Sequence, residues 1–324
     1  MPVTVIPIID FAGAFSSDAV ARRRVAHEVR SAATGFGFFY AANHGVPAEL
    51  VERQLDYARR FFALPAAEKM ALSLKRSKCR RGYESLGDQT LDLAARPDLK
   101  ESYYCGVDFP EDHPFVQAGY DSYGVSSWPG SLPGFREQMN AYMAAQQALC
   151  ERVMHVIALS LDLEESYFDY SFEDPLVTLR LAHYPPHPAN APADLYGAGA
   201  HTDWGSVTTL LQDDLGGLEV QGADGSWTPA PPVAGTFVVN LGDMMPRWTN
   251  GLFRSNLHRV INRNAVRADR YSVPYFYAPR YTARIEPVPT CVSPGRPAAY
   301  APCIVGEHMA EMVRKTYGAS YAAG

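Results

Sequence analysis

Beyond Pro175 the chain breaks into short β-branched and aromatic runs, and this punctuation limits the available folds more than any other feature. Leu176 to Tyr184, Ser206 to Gln212, Leu218 to Gln221, Thr236 to Asn240, Asn256 to Ile261 and Tyr271 to Tyr277 are each strand-length. Gly, Pro, Asn and Asp separate them. Several short strands at this spacing predict a sandwich or barrel of the jelly-roll kind, not a βαβ sheet. Gly and Pro, 25 of each in 324 residues, supply many turns without forming a low-complexity tract.

The first half reads differently. From Ala19 to about Ala33, Val20, Val25, Val29 and Ala32 form an apolar stripe with Arg22, Arg23, Arg24 and Arg30 outward, so a helix is predicted, capped by Ser17 or Asp18. Gly35 and Gly37 end it. Phe36 to Ala42 follows as a buried strand, and Asn43-His44-Gly45-Val46-Pro47 turns the chain into a second helix reaching about Phe62; a third begins after Pro65. His44 is read as a cap for this turn. Leu132 to Leu161 carries Phe135, Met139, Tyr142, Met143, Leu149, Val153, Val156 and Ile157 mostly at three- and four-residue steps, a long amphipathic helix suited to backing a sheet. Glu307 to Tyr317 closes the chain as a helix. The expected fold class is α+β: a double-stranded β-helix (jelly-roll) core with an N-terminal α/β region and a long backing helix. Residues 1–130 form the mixed region and 131–324 the long helix, core and closing helix. They make one compact unit, because a chain this long buries roughly three quarters of its unfolded surface.

Five cysteines, at 79, 105, 150, 291 and 303, show no C-x-x-C spacing, so neither a disulfide framework nor a zinc knuckle is expected. Met1 to Asp10 has no basic segment leading an apolar run. Windows such as Val153 to Leu163 contain His155 and Asp162 and are too short to span a bilayer. A soluble cytoplasmic protein is the expectation. A net charge of −6 gives no general reason to bind nucleic acid or an anionic membrane, and the Lys75, Arg76, Lys78, Arg80, Arg81 cluster is read as a solvated face.

Chemistry concentrates in the β region. His201-Thr202-Asp203 places an imidazole and a carboxylate two residues apart, hence on one face of an extended segment. His258 follows 55 positions after Asp203, room for the chain to cross a sandwich and return. Two imidazoles and one carboxylate on one face of a divalent ion leave three positions open, the non-haem iron(II) arrangement. Arg270-Tyr271-Ser272 adds a guanidinium fork and a hydroxyl on a shared face, a pair suited to a carboxylate beside the metal.

The order His201-Thr202-Asp203-Trp204-Gly205, Asn240-Leu241-Gly242-Asp243-Met244, Thr249-Asn250-Gly251, Leu257-His258-Arg259-Val260-Ile261-Asn262 and Arg270-Tyr271-Ser272-Val273-Pro274 resembles the isopenicillin N synthase-like family of iron(II)/2-oxoglutarate-dependent oxygenases. Pro7-Ile8-Ile9-Asp10, Gly37-Phe38-Phe39-Tyr40, Asn43-His44-Gly45-Val46-Pro47, Arg81-Gly82-Tyr83 and Lys100-Glu101-Ser102 resemble that family's leader region. The resemblance implies that His201, Asp203 and His258 bind iron, and that Arg270, Ser272 and Tyr184 hold the distal carboxylate of 2-oxoglutarate. It also implies a reaction in which O2 is split, the oxo acid becomes succinate and CO2, and a small organic molecule is hydroxylated or desaturated. The chain departs from plant members at Ala182, where they often carry asparagine, and at Met245-Pro246-Arg247-Trp248, where they are usually more aliphatic.

Tyr83, Tyr104, Arg180, Trp204, Arg247 and Phe276 are the candidates to line the substrate mouth, and they suit a ring-bearing or carboxylate-bearing molecule. Arg180, Ala182 and Tyr184 share one strand face, so Arg180 is expected to point inward and meet an anion, either on the substrate or on a local protein carboxylate such as Glu101 or Asp243. Two alternatives accompany the oxygenase reading: an oxidase of the same fold that needs no 2-oxoglutarate, and a non-catalytic jelly-roll binding module.

Overall fold

The computed structural model describes residues 5–263 and 268–317, so the outermost residues of the expected regions 1–130 and 131–324 lie outside the described residues. After strand β1 (Ile8–Asp10), helix α1 (Ala19–Gly35) starts where the Asp18 carboxylate accepts the Val20 N–H, a cap that contributes about 1 kcal/mol. Val25, Ala26, Val29, Ala32 and Ala33 form its buried face. Val20, expected on that face, is exposed in the first turn. Phe36 and Gly37 do not join the strand expected from Phe36, because both N–H groups close the helix on the Ala32 carbonyl at 2.9 Å. Gly37 has φ +68°, and a Cβ there would stand 2.4 Å from the Arg254 carbonyl oxygen, so only glycine fits. Strand β2 (Phe38–Ala42) follows, then α2 (Ala48–Phe62) and α3 (Ala66–Ala71). His44 Nδ1 accepts the Val46 N–H at 3.1 Å, which is the capping role read from the turn.

Strands β3 (Gly82–Glu84) and β4 (Glu101–Cys105) and the single turn α4 (Pro114–Gln117) lead to the long helix α5 (Phe135–Ser160). It begins three residues later than the apolar pattern, because Pro133 and Gly134, the latter at φ +76°, turn the chain before it. The β region then comprises β5 (Leu176–Tyr184), β6 (Ala198–His201), β7 (Val207–Gln212), β8 (Leu218–Gln221), β9 (Trp227–Pro229), β10 (Thr236–Leu241), the turn α6 (Met244–Trp248), β11 (His258–Val260) and β12 (Arg270–Ala278). A small hairpin of β13 (Arg284–Ile285) and β14 (Cys303–Ile304) precedes α7 (Val305–Tyr317).

Two sheets face each other. The larger runs β1-β2-β10-β7-β12-β5-β4-β3 and the smaller β6-β11-β8-β9. From β5 to β12 the chain steps between the two, with only β8 and β9 consecutive in one sheet, which is the double-stranded β-helix expected from the punctuation. The two-residue period of a strand then divides the large sheet into two faces. Phe39, Leu179, Leu181, Val239 and Tyr275 pack with α1, α2 and α5. Phe38, Tyr40, Ala182, Tyr184 and Val238 point the other way and pack with Ala198, Leu218, Val220 and Val260. Each fully buried aliphatic side chain contributes about 1.5–3 kcal/mol, so both faces hold the sandwich closed.

The strand expected from Asn256 to Ile261 contracts to His258–Val260 because side chains replace the ladder at both ends. Asn256 Nδ2 donates to the Phe36 and Gln221 carbonyls, and Asn262 Nδ2 to those of Tyr184 and Pro185. Among the described residues, no helix is long and apolar enough to cross a membrane. The five cysteines are free thiols.

Candidate active site

His201 ends β6 and His258 begins β11, and the two are direct register partners across the antiparallel pair. Their rings lie 4.3 Å apart between centroids. Asp203, two residues past His201, turns its Oδ1 to 4.0 Å from His201 Nε2 and 3.7 Å from His258 Nε2. The three potential ligand atoms lie within 4.8 Å of one another. Each ring is held from behind: His201 Nδ1 faces the Gly199 carbonyl at 2.7 Å and His258 Nδ1 that of Asn256 at 3.3 Å. A donated Nδ1–H leaves both Nε2 lone pairs pointing at one place, as metal ligation requires. Asp203 Oδ2 accepts from Thr208 Oγ1 and Asn240 Nδ2, each at 2.6 Å, so Oδ1 remains for a cation.

The electrostatics agree with this donor set. Burial and the neighbouring His258 push the His201 imidazole down to about 3, which keeps it in the neutral form that metal ligation needs. Burial opposes ionisation of Asp203, but the two imidazoles and its hydrogen bonds outweigh burial and hold its carboxyl below the usual range. Asn240 belongs to Asn240-Leu241-Gly242-Asp243, whose backbone folds onto the same loop: the Asp243 N–H donates to the Asp203 carbonyl at 2.8 Å. A Cβ on Gly242 would stand 2.4 Å from the Gly205 carbonyl oxygen and 2.8 Å from that of Asp203. Gly242→Ala is therefore expected to displace the Asp203 loop, lowering the melting temperature and the bound iron measured after anaerobic desalting; unchanged values for both would show that the loop yields without cost.

Arg270 pairs with Tyr184 across β12 and β5, and Ser272 with Ala182 one step further. Arg270 is fully buried, a costly position for a guanidinium. Its Nε donates to the Gly216 carbonyl and its Nη2 to Gln212 Oε1 at 2.9 Å, while its plane lies 4.8 Å from the Tyr184 ring. Nη1 has no hydrogen-bond partner among the described residues. A buried N–H of a cation left in this way calls for an anionic acceptor. Burial raises the Tyr184 phenol, yet Arg270, Arg180 and Lys100 outweigh it and bring its pKa below the ordinary value. This residue set fits both iron(II) and a dicarboxylate.

A cavity of about 190 Å³ opens on the triad. His201, Asp203, Trp204, Tyr104, Arg180 and Phe276 line it, with Gln89 and Leu91 from the loop before β4. Met309 and Val313 of α7 face it, as do Arg80 and Asp121, joined at 3.2 Å. Four of the six mouth candidates therefore meet at the site. Tyr83 and Arg247 do not line this cavity. The Tyr83 hydroxyl donates to Glu101, and Arg247 leaves α6 toward Tyr300, 6.0 Å from that ring, while Met244, Met245 and Trp248 take the buried side of the turn.

Arg180 points inward as the strand parity requires and has a local carboxylate beside it, though this is neither Glu101 nor Asp243. Its Nε and Nη2 donate to Ser102 Oγ at 2.9 and 2.8 Å, and Nη2 also to Gln89 Oε1 at 3.0 Å. Glu84 is its carboxylate, at 3.6 Å, and Tyr104 lies beneath it. Glu101 is on the opposite face by the same parity, and Asp243 is held by Ser255 at 2.9 Å with His308 at 3.8 Å. The basic cluster is likewise not a uniform solvated face: Arg81 is 3% exposed and donates to the Gly124 and Ser122 carbonyls. Sequence reasoning missed Thr208, Glu84, Ser102 and Gln89. Strand parity could have found Ser102, whereas Gln89 lies in a loop without a periodic signal.

The chain matches two family models: non-haem dioxygenase in morphine synthesis N-terminal, over residues 6–131, and 2OG-Fe(II) oxygenase superfamily, over residues 175–279. A 2-oxoglutarate-Fe(II) type oxidoreductase, hxnY, of Emericella nidulans is 40% identical, covering 99% of this chain and 92% of the relative. A full-length Neurospora crassa protein crystallised with alpha-KG and thymine superposes with a TM-score of 0.84 at 30% identity, covering 98% of this chain and 97% of the other. A 2OG-Fe(II) oxygenase family protein of Caulobacter crescentus gives 0.83 at 31% identity, covering 96% and 99%.

The chain belongs to the 2OG-Fe(II) oxygenase superfamily. It is an enzyme, a non-haem iron(II) oxygenase that uses 2-oxoglutarate and O2. That membership selects the oxygenase over both the binding module and the oxidase that dispenses with 2-oxoglutarate.

Proposed function

We propose that His201, Asp203 and His258 hold the iron, that Arg270, Ser272 and Tyr184 hold the distal carboxylate of 2-oxoglutarate, and that a small ring-bearing molecule fills the cavity beside them. The observation that carries this reading is the buried Arg270 Nη1, without an acceptor among the described residues and placed on the same inner face as Ser272 and Tyr184. Bound iron(II) supplies the redox chemistry by which O2 and 2-oxoglutarate become succinate and CO2 as a substrate C–H is oxidised. The protein's own tasks are positional. Gly199 and Asn256 fix the imidazole tautomers, Thr208 and Asn240 orient the carboxylate, and Gln212 and Gly216 aim the guanidinium. The apolar walls limit water around the reacting bond.

Size and lining support a ring. An apolar cavity of about 150 Å³ accommodates benzene, so 190 Å³ suits one ring with a few substituents. Trp204 and Phe276 offer flat faces, and Gln89 and Arg180 offer polar groups to ring heteroatoms or to an acidic substituent. Thymine in the Neurospora neighbour is a molecule of this size and kind. Hydroxylation or desaturation of such a molecule is the proposed reaction, and the five free thiols support a reducing, cytoplasmic setting. A panel of heterocycles and small aromatic acids, scored by substrate-stimulated succinate release, tests the reading. With a compound found in this way, Trp204→Ala is expected to raise its KM about tenfold while the 2-oxoglutarate KM stays within about twofold, the loss of one aromatic contact in the pocket. Equal loss for both would place Trp204 in the cosubstrate site instead.

A further inference from the structure

We propose that His183 positions the 2-oxoglutarate clamp from the opposite face of the large sheet. The inference rests on reading Arg270 and Tyr184 as that clamp. His183 immediately precedes Tyr184 and therefore points away from the cavity. It is the register partner of Glu101 on β4 and of Tyr271 on β12. Its Nδ1 lies 2.7 Å from Glu101 Oε1 and its Nε2 lies 2.9 Å from Asp269 Oδ1. Both partners are carboxylates, so the ring is held between an acceptor on each side. The ring stacks on Tyr271 at 4.9 Å and 16°, with Phe62 at 5.4 Å on α2.

The tie spans three strands at one level. Glu101 Oε2 also receives Lys69 Nζ of α3 at 2.8 Å and the Tyr83 hydroxyl of β3. Arg59 of α2 lies 5.7 Å from the Tyr271 ring. Burial raises Glu101, but His183, Lys69 and Tyr83 outweigh burial and bring it to about 2. Each member of the hydrogen-bonded pair His183 and Asp269 is the chain neighbour of a clamp residue: His183 of Tyr184, and Asp269 of Arg270. Arg270 is the first residue of β12, where the main-chain ladder alone holds a strand least firmly. The Asp269 contact fixes this end, and with it the direction of the Nη1 group that has no acceptor among the described residues. Such supporting contacts set the geometry of a binding group they do not touch.

The test is anaerobic titration of the iron(II)-loaded protein, followed by its visible absorption, with 2-oxoglutarate and with pyruvate, which lacks the distal carboxylate. His183→Phe keeps the ring stack and removes both polar contacts. It is expected to weaken 2-oxoglutarate binding about tenfold and to leave pyruvate within about twofold of the parent. His183→Gln, retaining an amide donor, is expected to lose less. Asp269→Asn, a half-exposed change that spares the packing, is expected to weaken 2-oxoglutarate severalfold with pyruvate unchanged. Loss of both ligands to the same degree, or of neither, in His183→Phe and Asp269→Asn overturns the proposal. Arg270→Leu serves as the control: if it leaves 2-oxoglutarate affinity intact, the clamp reading has failed, whereas an effect there without one at His183 rejects this inference alone.

Discussion

Asp203→Ala is expected to abolish iron-dependent turnover while the fold survives. Residues that merely orient metal ligands typically cost 10- to 100-fold when changed, so removing a proposed ligand that is also the carboxylate of the triad costs more than that. No other acidic group joins the cluster of potential ligand atoms among the described residues. Thr208 and Asn240 would lose their shared acceptor, at a cost of about 1–3 kcal/mol. A core spread over both faces of the large sheet absorbs such a loss. Iron content, succinate release and far-ultraviolet circular dichroism check the result together, and His201→Ala and His258→Ala should behave alike. Near-normal turnover with iron in any of the three would remove that residue from the ligand set.

Arg270→Leu carries the second large effect. A charge-assisted hydrogen bond contributes roughly 1.5–3 kcal/mol, so losing the guanidinium should weaken 2-oxoglutarate binding by about one to two orders of magnitude. Iron binding is expected to change little, because Arg270 reaches Gly216 and Gln212 and not the imidazoles. Measuring the apparent 2-oxoglutarate KM beside iron affinity separates the two. An unchanged cosubstrate requirement would leave the orphaned Nη1 to some other anion.

Much of the fold was legible because strands announce themselves by local chemistry. Leu176 to Tyr184 and Leu218 to Gln221 match the observed β5 and β8 residue for residue. Boundaries failed where a side chain or a special backbone angle overruled the pattern, as at Asn256, Asn262 and Gly134. At the site, parity placed Arg180 inward correctly, since a two-residue period leaves no other choice. Its partners Ser102, Glu84 and Gln89 come from β4, β3 and a loop, 78, 96 and 91 positions away, a pairing no local pattern encodes. Arg247 misled because a single helical turn at α6 sends successive side chains in different directions, and the apolar neighbours claimed the interior.

The direct pairing of His201 with His258 bears on how the protein comes to hold its metal. These residues stand on neighbouring strands of the small sheet, while the chain between them visits the large sheet twice, through β7 and β10. No contiguous fragment that omits either sheet can present both imidazoles and Asp203 with its Asn240 and Thr208 supports. Loop closure over such separations comes late in folding, after the entropy of joining distant segments has been met. The full set of ligand side chains and their supports thus exists only in the assembled sandwich, so metal bound there adds its binding free energy to the folded state.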